Sequence, residues 1–194
     1  MSGTKNHLAA LACCWFMRQH NFTPTTLLNI GVGKTSPELD VWQWLLPGCN
    51  LIGIDPRWSP RGHWTKRRKL PQIAVAVGDG SITSANYCGP CRSLICGHPA
   101  TSVVPVMTLD EIVAKHNLEP PFFIWMDIDG SEPEALRGAT ETLARTAWLN
   151  VELTPHFGIE RCQEIRSLLA SRGFRLHYDH ARNEDELYRN RRYE

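Results

Sequence analysis

With 194 residues, 42% of them hydrophobic and 21% charged, the chain has the length and balance of one globular domain, enough to bury a full sheet between two helical layers. No segment approaches the roughly 20 uninterrupted apolar residues of a membrane-spanning helix, and the apolar run after Asn6 is broken by Arg18 and His20, which argues against a secretory leader. A net charge of +1 excludes a strong global field, and seven scattered cysteines fit reduced thiols in the cytoplasm better than a disulfide framework.

Leu8, Leu11, Ala12, Trp15 and Phe16 recur at helical spacing and predict a first helix within residues 1–22 that packs on the core. Leu27 to Gly31 reads as a buried strand. Ser36, Pro37 and Glu38 open a helix whose apolar stripe is Leu39, Trp42, Leu45 and Leu46, and Pro47 with Gly48 stops it. Strands follow at Leu51 to Asp55 and Ile73 to Val77. Residues 78–104, rich in Gly, Ser, Pro and Cys, read as one long loop with a short helical turn. Thr108 and Glu111 predict a capping box, and Phe122 to Asp127 a further strand. Ser131 and Glu134 predict a second capping box, starting one helix with inner face Leu136, Ala139 and Leu143. A strand from Trp148 to Leu153, a helix with Cys162, Ile165 and Leu169 closed by Gly173, a strand from Phe174 to Tyr178 and a last strand near Glu186 to Tyr188 complete the chain. Alternating strands and helices imply an α/β fold of the Rossmann-like, doubly wound kind: a mainly parallel sheet covered on both faces, its last strand antiparallel, with residues 1–194 forming a single domain.

In such a sheet ligands bind at the carboxyl ends of the strands, so the informative residues are those that end strands. The first turn, Asn29-Ile30-Gly31-Val32-Gly33-Lys34, is a short G-x-G that lets a ligand approach the backbone closely. Its third position is Ser36 followed by Pro37, which disfavours a nicotinamide fingerprint, and the phosphate loop of nucleotide hydrolases lacks its glycine spacing although Lys34 and Thr35 mimic its ending. Asp55 ends the second strand where a carboxylate can take both hydroxyls of an adenosine ribose. Asp79 follows the third strand, where it can meet the adenine amino group; a plain turn aspartate in Asp79-Gly80 is nearly as good a reading. Asp127 and Asp129 flank Ile128, and alternation puts both carboxylates on one side if the strand runs that far, where two close carboxylates can hold a divalent metal or split their pKa values so that one acts as a base. Glu132 and Glu152 complete an acidic ring, Glu132 serving equally well as a helix-dipole partner.

These residues resemble the FkbM-type methyltransferases, a family of Rossmann-like S-adenosylmethionine enzymes, over most of the chain from Leu27 to Tyr178. The most specific stretch is Trp125-Met126-Asp127-Ile128-Asp129-Gly130-Ser131-Glu132 followed by Ala135-Leu136-Arg137-Gly138-Ala139, supported by Thr108-Leu109-Asp110 upstream and Val151-Glu152 downstream. Three positions differ from the family pattern: Trp125 replaces a lysine, Asp129 a glutamate, and Asn29 an acid. The resemblance implies S-adenosylmethionine as cofactor, with Asn29, Gly31 and Gly33 at its amino-acid end, Asp55 on its ribose, Asp79 near adenine, and Asp127 also lining its site. It further implies methyl transfer to a hydroxyl on a small molecule or sugar, with Asp127 as base or metal ligand and Asp129 and Glu152 assisting, a divalent metal being compatible with the site but not called for.

Two features stay outside that reading. Cys88, Cys91, Cys96 and His98 give C-x2-C-x4-C-x-H, ligand types able to close a structural zinc site, against the alternative of reduced loop cysteines. Arg57, Arg61, Lys66, Arg67, Arg68 and Lys69, interleaved with Trp58, His63 and Trp64, form a basic loop that would suit RNA or an acidic glycan, against a plain solvated loop. A nucleic-acid methyltransferase and a noncatalytic S-adenosylmethionine-binding module therefore stand beside the small-molecule O-methyltransferase.

Overall fold

A computed structural model describes residues 2–33, 38–57, 71–89, 93–95, 97–153, 155–180 and 184–194. The main sheet has seven strands in the order β3-β2-β1-β7-β8-β10-β9. Its parallel centre is β1 (Thr26–Ile30), β2 (Asn50–Ile54), β3 (Gln72–Ile73), β7 (Phe122–Met126) and β8 (Thr146–Glu152). The last two strands, β9 (Phe174–His180) and β10 (Asp185–Asn190), form a hairpin, and β10 runs antiparallel to β8. This is the expected Rossmann-like α/β sheet with an antiparallel end. Strands β1 and β7 are buried along their whole length, as strands covered on both faces must be.

Alternation along those strands divides the core in two. Leu28, Ile30, Ile52, Ile54, Phe122, Ile124 and Met126 point to one face and pack under α3 (Leu109–Lys115), α4 (Glu132–Arg137), α5 (Thr140–Ala144) and α6 (Ile159–Ser171). Leu27, Leu51, Phe123, Trp125 and Trp148 point to the other, under α1 (Ser2–Gln19) and α2 (Glu38–Leu45). Trp42, Trp125 and Trp148 are all fully buried on that second face. Their volume explains a correction to the predicted stripe of α1. The helix buries Ala9, Ala10, Cys13, Cys14 and Met17 and packs Phe16 partly buried beside them, while Leu8, Leu11 and Trp15 are exposed, because mostly small side chains and the unbranched Met17 fit against a layer already filled by indoles. Among the described residues, no helix is long and apolar enough to cross a membrane.

Three further expectations change. The strand predicted at Ile73 to Val77 is split, because the Val75 N–H donates to the Ile73 carbonyl and turns the chain. Gln72–Ile73 stays on β2, and β4 (Ala76–Val77) joins a second sheet with β6 (Ser102–Met107) and β5 (Ser84–Tyr87). The predicted loop 78–104 therefore carries strand structure. The helix predicted after Ser131 breaks at Gly138, where a Cβ would lie 2.1 Å from the Gly78 carbonyl oxygen, so the passing chain allows no side chain there. Asp110 restarts the helix by accepting the Glu141 and Thr142 N–H groups. The capping box at Thr108 and Glu111 forms as expected; that at Ser131 does not, since Ser131 has ψ 11° and Glu134 turns instead to Arg137 and Arg161. The helix start at Ser36 and Pro37 lies outside the described residues.

Candidate functional site

Gly31 and Gly33 both have positive φ, +90° and +59°, and turn the chain off β1 towards α2. A Cβ on Gly31 would lie 1.7 Å from the Asp127 carbonyl oxygen, so the end of β1 presses its bare backbone against the end of β7. The Gly33 N–H donates to Asp55 Oδ2 at 2.8 Å, and the Arg57 N–H to Asp55 Oδ1 at 2.8 Å. The turn and the acid that ends β2 thus form one unit, although 22 residues separate them. Asn29 is fully buried beneath it, its side-chain N–H donating to Glu38 Oε1 at 3.1 Å. The carboxylate that the Asn29 position lacks is present as a buried neighbour on α2, a pairing that the local sequence pattern does not reveal.

Beyond Gly31, β7 ends at Met126, one residue before the predicted end, so strand alternation does not align Asp127 and Asp129. A turn brings them together instead: Asp129 takes a left-handed conformation with φ +51°, and one oxygen each from Asp127, Asp129 and Glu152 lie within 4.8 Å of one another. Burial, then the charge of Glu152 and a hydrogen bond to it, then Asp129, push the Asp127 carboxyl well above the usual range. Among the described residues these three form the one group of acidic, histidine or cysteine side chains with the spacing to hold a metal ion.

The acid-bearing turn is fastened from several sides. Ser93 Oγ donates to the Asp129 carbonyl at 3.0 Å, Arg161 Nε to the Gly130 carbonyl at 2.9 Å, and Phe157 packs so close to Gly130 that a Cβ there would be 2.7 Å from its ring. Glu132 is buried, accepts the Ile128 N–H at 2.9 Å, and is pushed up to about 7 chiefly by burial. It is the clasp of this turn as well as a near neighbour of the acids. Asp185 was not foreseen: it sits opposite Glu152 in the antiparallel pairing, accepts from Asn150 Nδ2 at 2.8 Å, and is pushed up to about 7 by burial. Only the Glu184-Asp185-Glu186 run before the last strand hinted at it in the sequence.

Asp79 makes its contacts elsewhere. It accepts the Ser81 N–H at 2.9 Å and lies 3.7 Å from Arg137 Nε, and the Ser81 bonds, aided by Arg137, hold its carboxyl below the usual range. Cys91 and Cys96 of the cysteine cluster lie outside the described residues, as do Lys34, Thr35 and the basic loop from Trp58 through Arg61, His63, Trp64, Lys66, Arg67 and Arg68 to Lys69.

Residues 47–176 match the family model described as the Methyltransferase FkbM domain. No curated protein matches the sequence. Similar solved structures include the plantazolicin methyltransferase BpumL in complex with a pentazolic desmethylPZN analog and SAH, at 16% identity and TM-score 0.43 over 94% of this chain and 55% of that one. A BpumL complex with a monoazolic analog and SAH aligns at 12% identity and TM-score 0.48, over 98% and 85%. A DUF574 family protein of Streptomyces avermitilis aligns at 13% identity and TM-score 0.47, over 96% and 83%. In the first of these alignments the chain spans little more than half the length of its neighbour.

Proposed function

Because the chain belongs to the FkbM methyltransferases, a family of S-adenosylmethionine-dependent enzymes, we propose that it methylates a hydroxyl oxygen on a small molecule or sugar, residues 1–194 acting as one cytoplasmic catalytic unit. The observation that carries this reading is that a glycine turn joined to a strand-ending acid and a trio of converging carboxylates meet directly, backbone to backbone, through Gly31 and Asp127.

The turn and acid fit the donor. Gly31 and Gly33 offer backbone without side chains of their own, and Asp55 holds its two oxygens in place through backbone N–H groups, which suits it to receive a ribose diol. Asn29, supported by Glu38, lies under the amino-acid end of that site. The donor, when bound, supplies a methyl group already activated on a cationic sulfur. What remains for the chain is to align an acceptor hydroxyl and take its proton. Asp127 and Glu152 are suited to taking it, because their oxygens converge with that of Asp129, and burial and the neighbouring acids raise the affinity of the Asp127 carboxyl for a proton. Asp129 adds negative charge to the pair and is the side chain placed by the left-handed turn.

Methyl transfer from labelled S-adenosylmethionine to a panel of hydroxyl-bearing small molecules and sugars, with RNA as the competing acceptor, tests this function. Label recovered on oxygen, and lost in Asp127→Asn, supports the reading. Label recovered only in RNA, in a salt-sensitive manner, overturns it in favour of a nucleic-acid enzyme acting through its basic loop.

A further inference from the structure

Arg57 stands two residues beyond Asp55 and folds back over it. Its Nη2 lies 3.4 Å from Asp55 Oδ2, the same oxygen that accepts the Gly33 N–H at 2.8 Å. A Cβ on Gly33 would be 3.6 Å from Nη2, so the guanidinium covers the open side of the glycine turn. Its carbon sits 5.7 Å from the ring centroid of Tyr87 on β5, a distance at which a cation is still drawn to an aromatic face. The Nε of the same group is buried and has no hydrogen-bond partner among the described residues.

Those contacts separate two roles an arginine can have beside a binding carboxylate. One is to orient the acid. Asp55 does not need that help, because one backbone N–H on each oxygen, both at 2.8 Å, already fixes its plane. The side-chain contact is longer than the roughly 2.7–2.9 Å of a good charge-assisted bond. The other role is to occupy the acid. A guanidinium with a long ion pair and an orphaned donor is poorly seated, and a ligand that offers hydroxyls to Asp55 displaces it cheaply.

We propose that Arg57 is a ligand-exchange residue: it holds Asp55 until the ribose of the methyl donor takes its place, and it returns to Asp55 to help expel the demethylated product. The inference rests on the donor reading given above. By competing with both donor and product it weakens the binding of each and speeds release, a step that limits turnover in many enzymes. Tyr87 supplies the resting place that keeps the guanidinium over the crevice.

Calorimetric titration of S-adenosylhomocysteine into the wild type, Arg57→Gln and Arg57→Lys tests this, with thermal unfolding as the check that each variant folds. Removing a partly exposed ion pair that competes with the ligand should tighten binding about fivefold in Arg57→Gln, mainly through slower dissociation, with Arg57→Lys in between. Raising the salt should tighten binding to the wild type and leave Arg57→Gln unmoved, because screening weakens the competing pair alone. Unchanged affinity in Arg57→Gln would overturn the proposal, and weaker affinity would make Arg57 a direct ligand contact instead. If Arg57→Gln does not fold, Arg57→Lys and the salt series carry the same decision. A wild type that binds no S-adenosylhomocysteine at all would sink the donor reading itself, a result distinct from unchanged affinity in the variant.

Discussion

At the end of β2, Asp55 meets backbone N–H groups from Gly33 and Arg57; at the end of β7, Asp127 meets other carboxylates, Glu152 and Asp129. The residue type is the same and the strands are neighbours of β1 on either side. Surrounded by donors, the first aspartate has both oxygens held in place, as its proposed role on the ribose asks. Half-buried among other carboxylates, the second has its carboxyl pushed well above the usual range. What each aspartate can do is set by its neighbours, and a single residue, Gly31, joins the two environments.

Breaking that junction should give the largest effect. In Gly31→Ala a methyl group would have to sit 1.7 Å from the Asp127 carbonyl at φ +90°, a clash with backbone that has nowhere to go, so the expected outcome is failure to fold or a loss exceeding about 4 kcal/mol. Gly33→Ala has φ +59° but 3.6 Å of clearance, and should cost only about 1 kcal/mol in chemical denaturation. Equal losses at the two glycines would refute the close approach as the reason for Gly31.

Next in size is Asp127→Asn, which keeps the shape of the acid trio and removes the proton acceptor of the proposed reaction. The expected result is a fall in methyl transfer of about 100-fold or more at saturating acceptor, with S-adenosylhomocysteine affinity within about threefold of wild type. A variant that lost cofactor affinity instead would merge the two environments distinguished above.

A pH series sharpens the same comparison through stability. Glu132 and Asp185 are each pushed up to about 7 by burial, whereas such carboxyls titrate near 4 in an unfolded chain. Between those values the folded protein binds more protons than the unfolded one, so their contribution is complete below about pH 4 and is lost as the pH rises through 7. Thermal unfolding should therefore show stability declining across that window. Glu132→Gln and Asp185→Asn, which can keep the acceptors used by Ile128 and Asn150, should flatten the slope and raise Tm at pH 8 by a few degrees. A slope unchanged in both variants would show that these groups do not carry the linkage. The smallest effect is expected for Ser93→Ala, which removes one bond to the Asp129 carbonyl and should lower Tm by roughly 2–4 °C. No change at all would mean that the loop does not fasten the acid turn.

The alternation of strands and helices was legible because each strand is bounded by turn residues and each helix has its own period. The nearness of Gly31, Gly33 and Asp55 was legible too, since they follow the ends of neighbouring strands, whereas Asp127 and Asp129 meet Glu152 through a left-handed turn beyond β7 rather than through the strand alternation that the sequence suggested. The sequence misled where tertiary volume overrode local pattern. In α1 the bulky stripe Leu8, Leu11 and Trp15 is turned outward, because Trp42, Trp125 and Trp148 already fill the space beneath. It was silent where partners come from distant elements: Glu38 against Asn29, Asp185 opposite Glu152, and Arg161 and Ser93 on the Asp129–Gly130 turn. Asp79 was readable as a strand-end acid, but its pairing with Arg137 required the helix break at Gly138, which no helical period reveals.

The most direct test of the division of labour is calorimetric titration of S-adenosylhomocysteine into wild type, Asp55→Ala and Asp127→Asn. Saturable binding to the wild type and to Asp127→Asn, weakened about 30-fold or more in Asp55→Ala, is the predicted result. Binding that survives the loss of Asp55, or that disappears with Asp127, would contradict it.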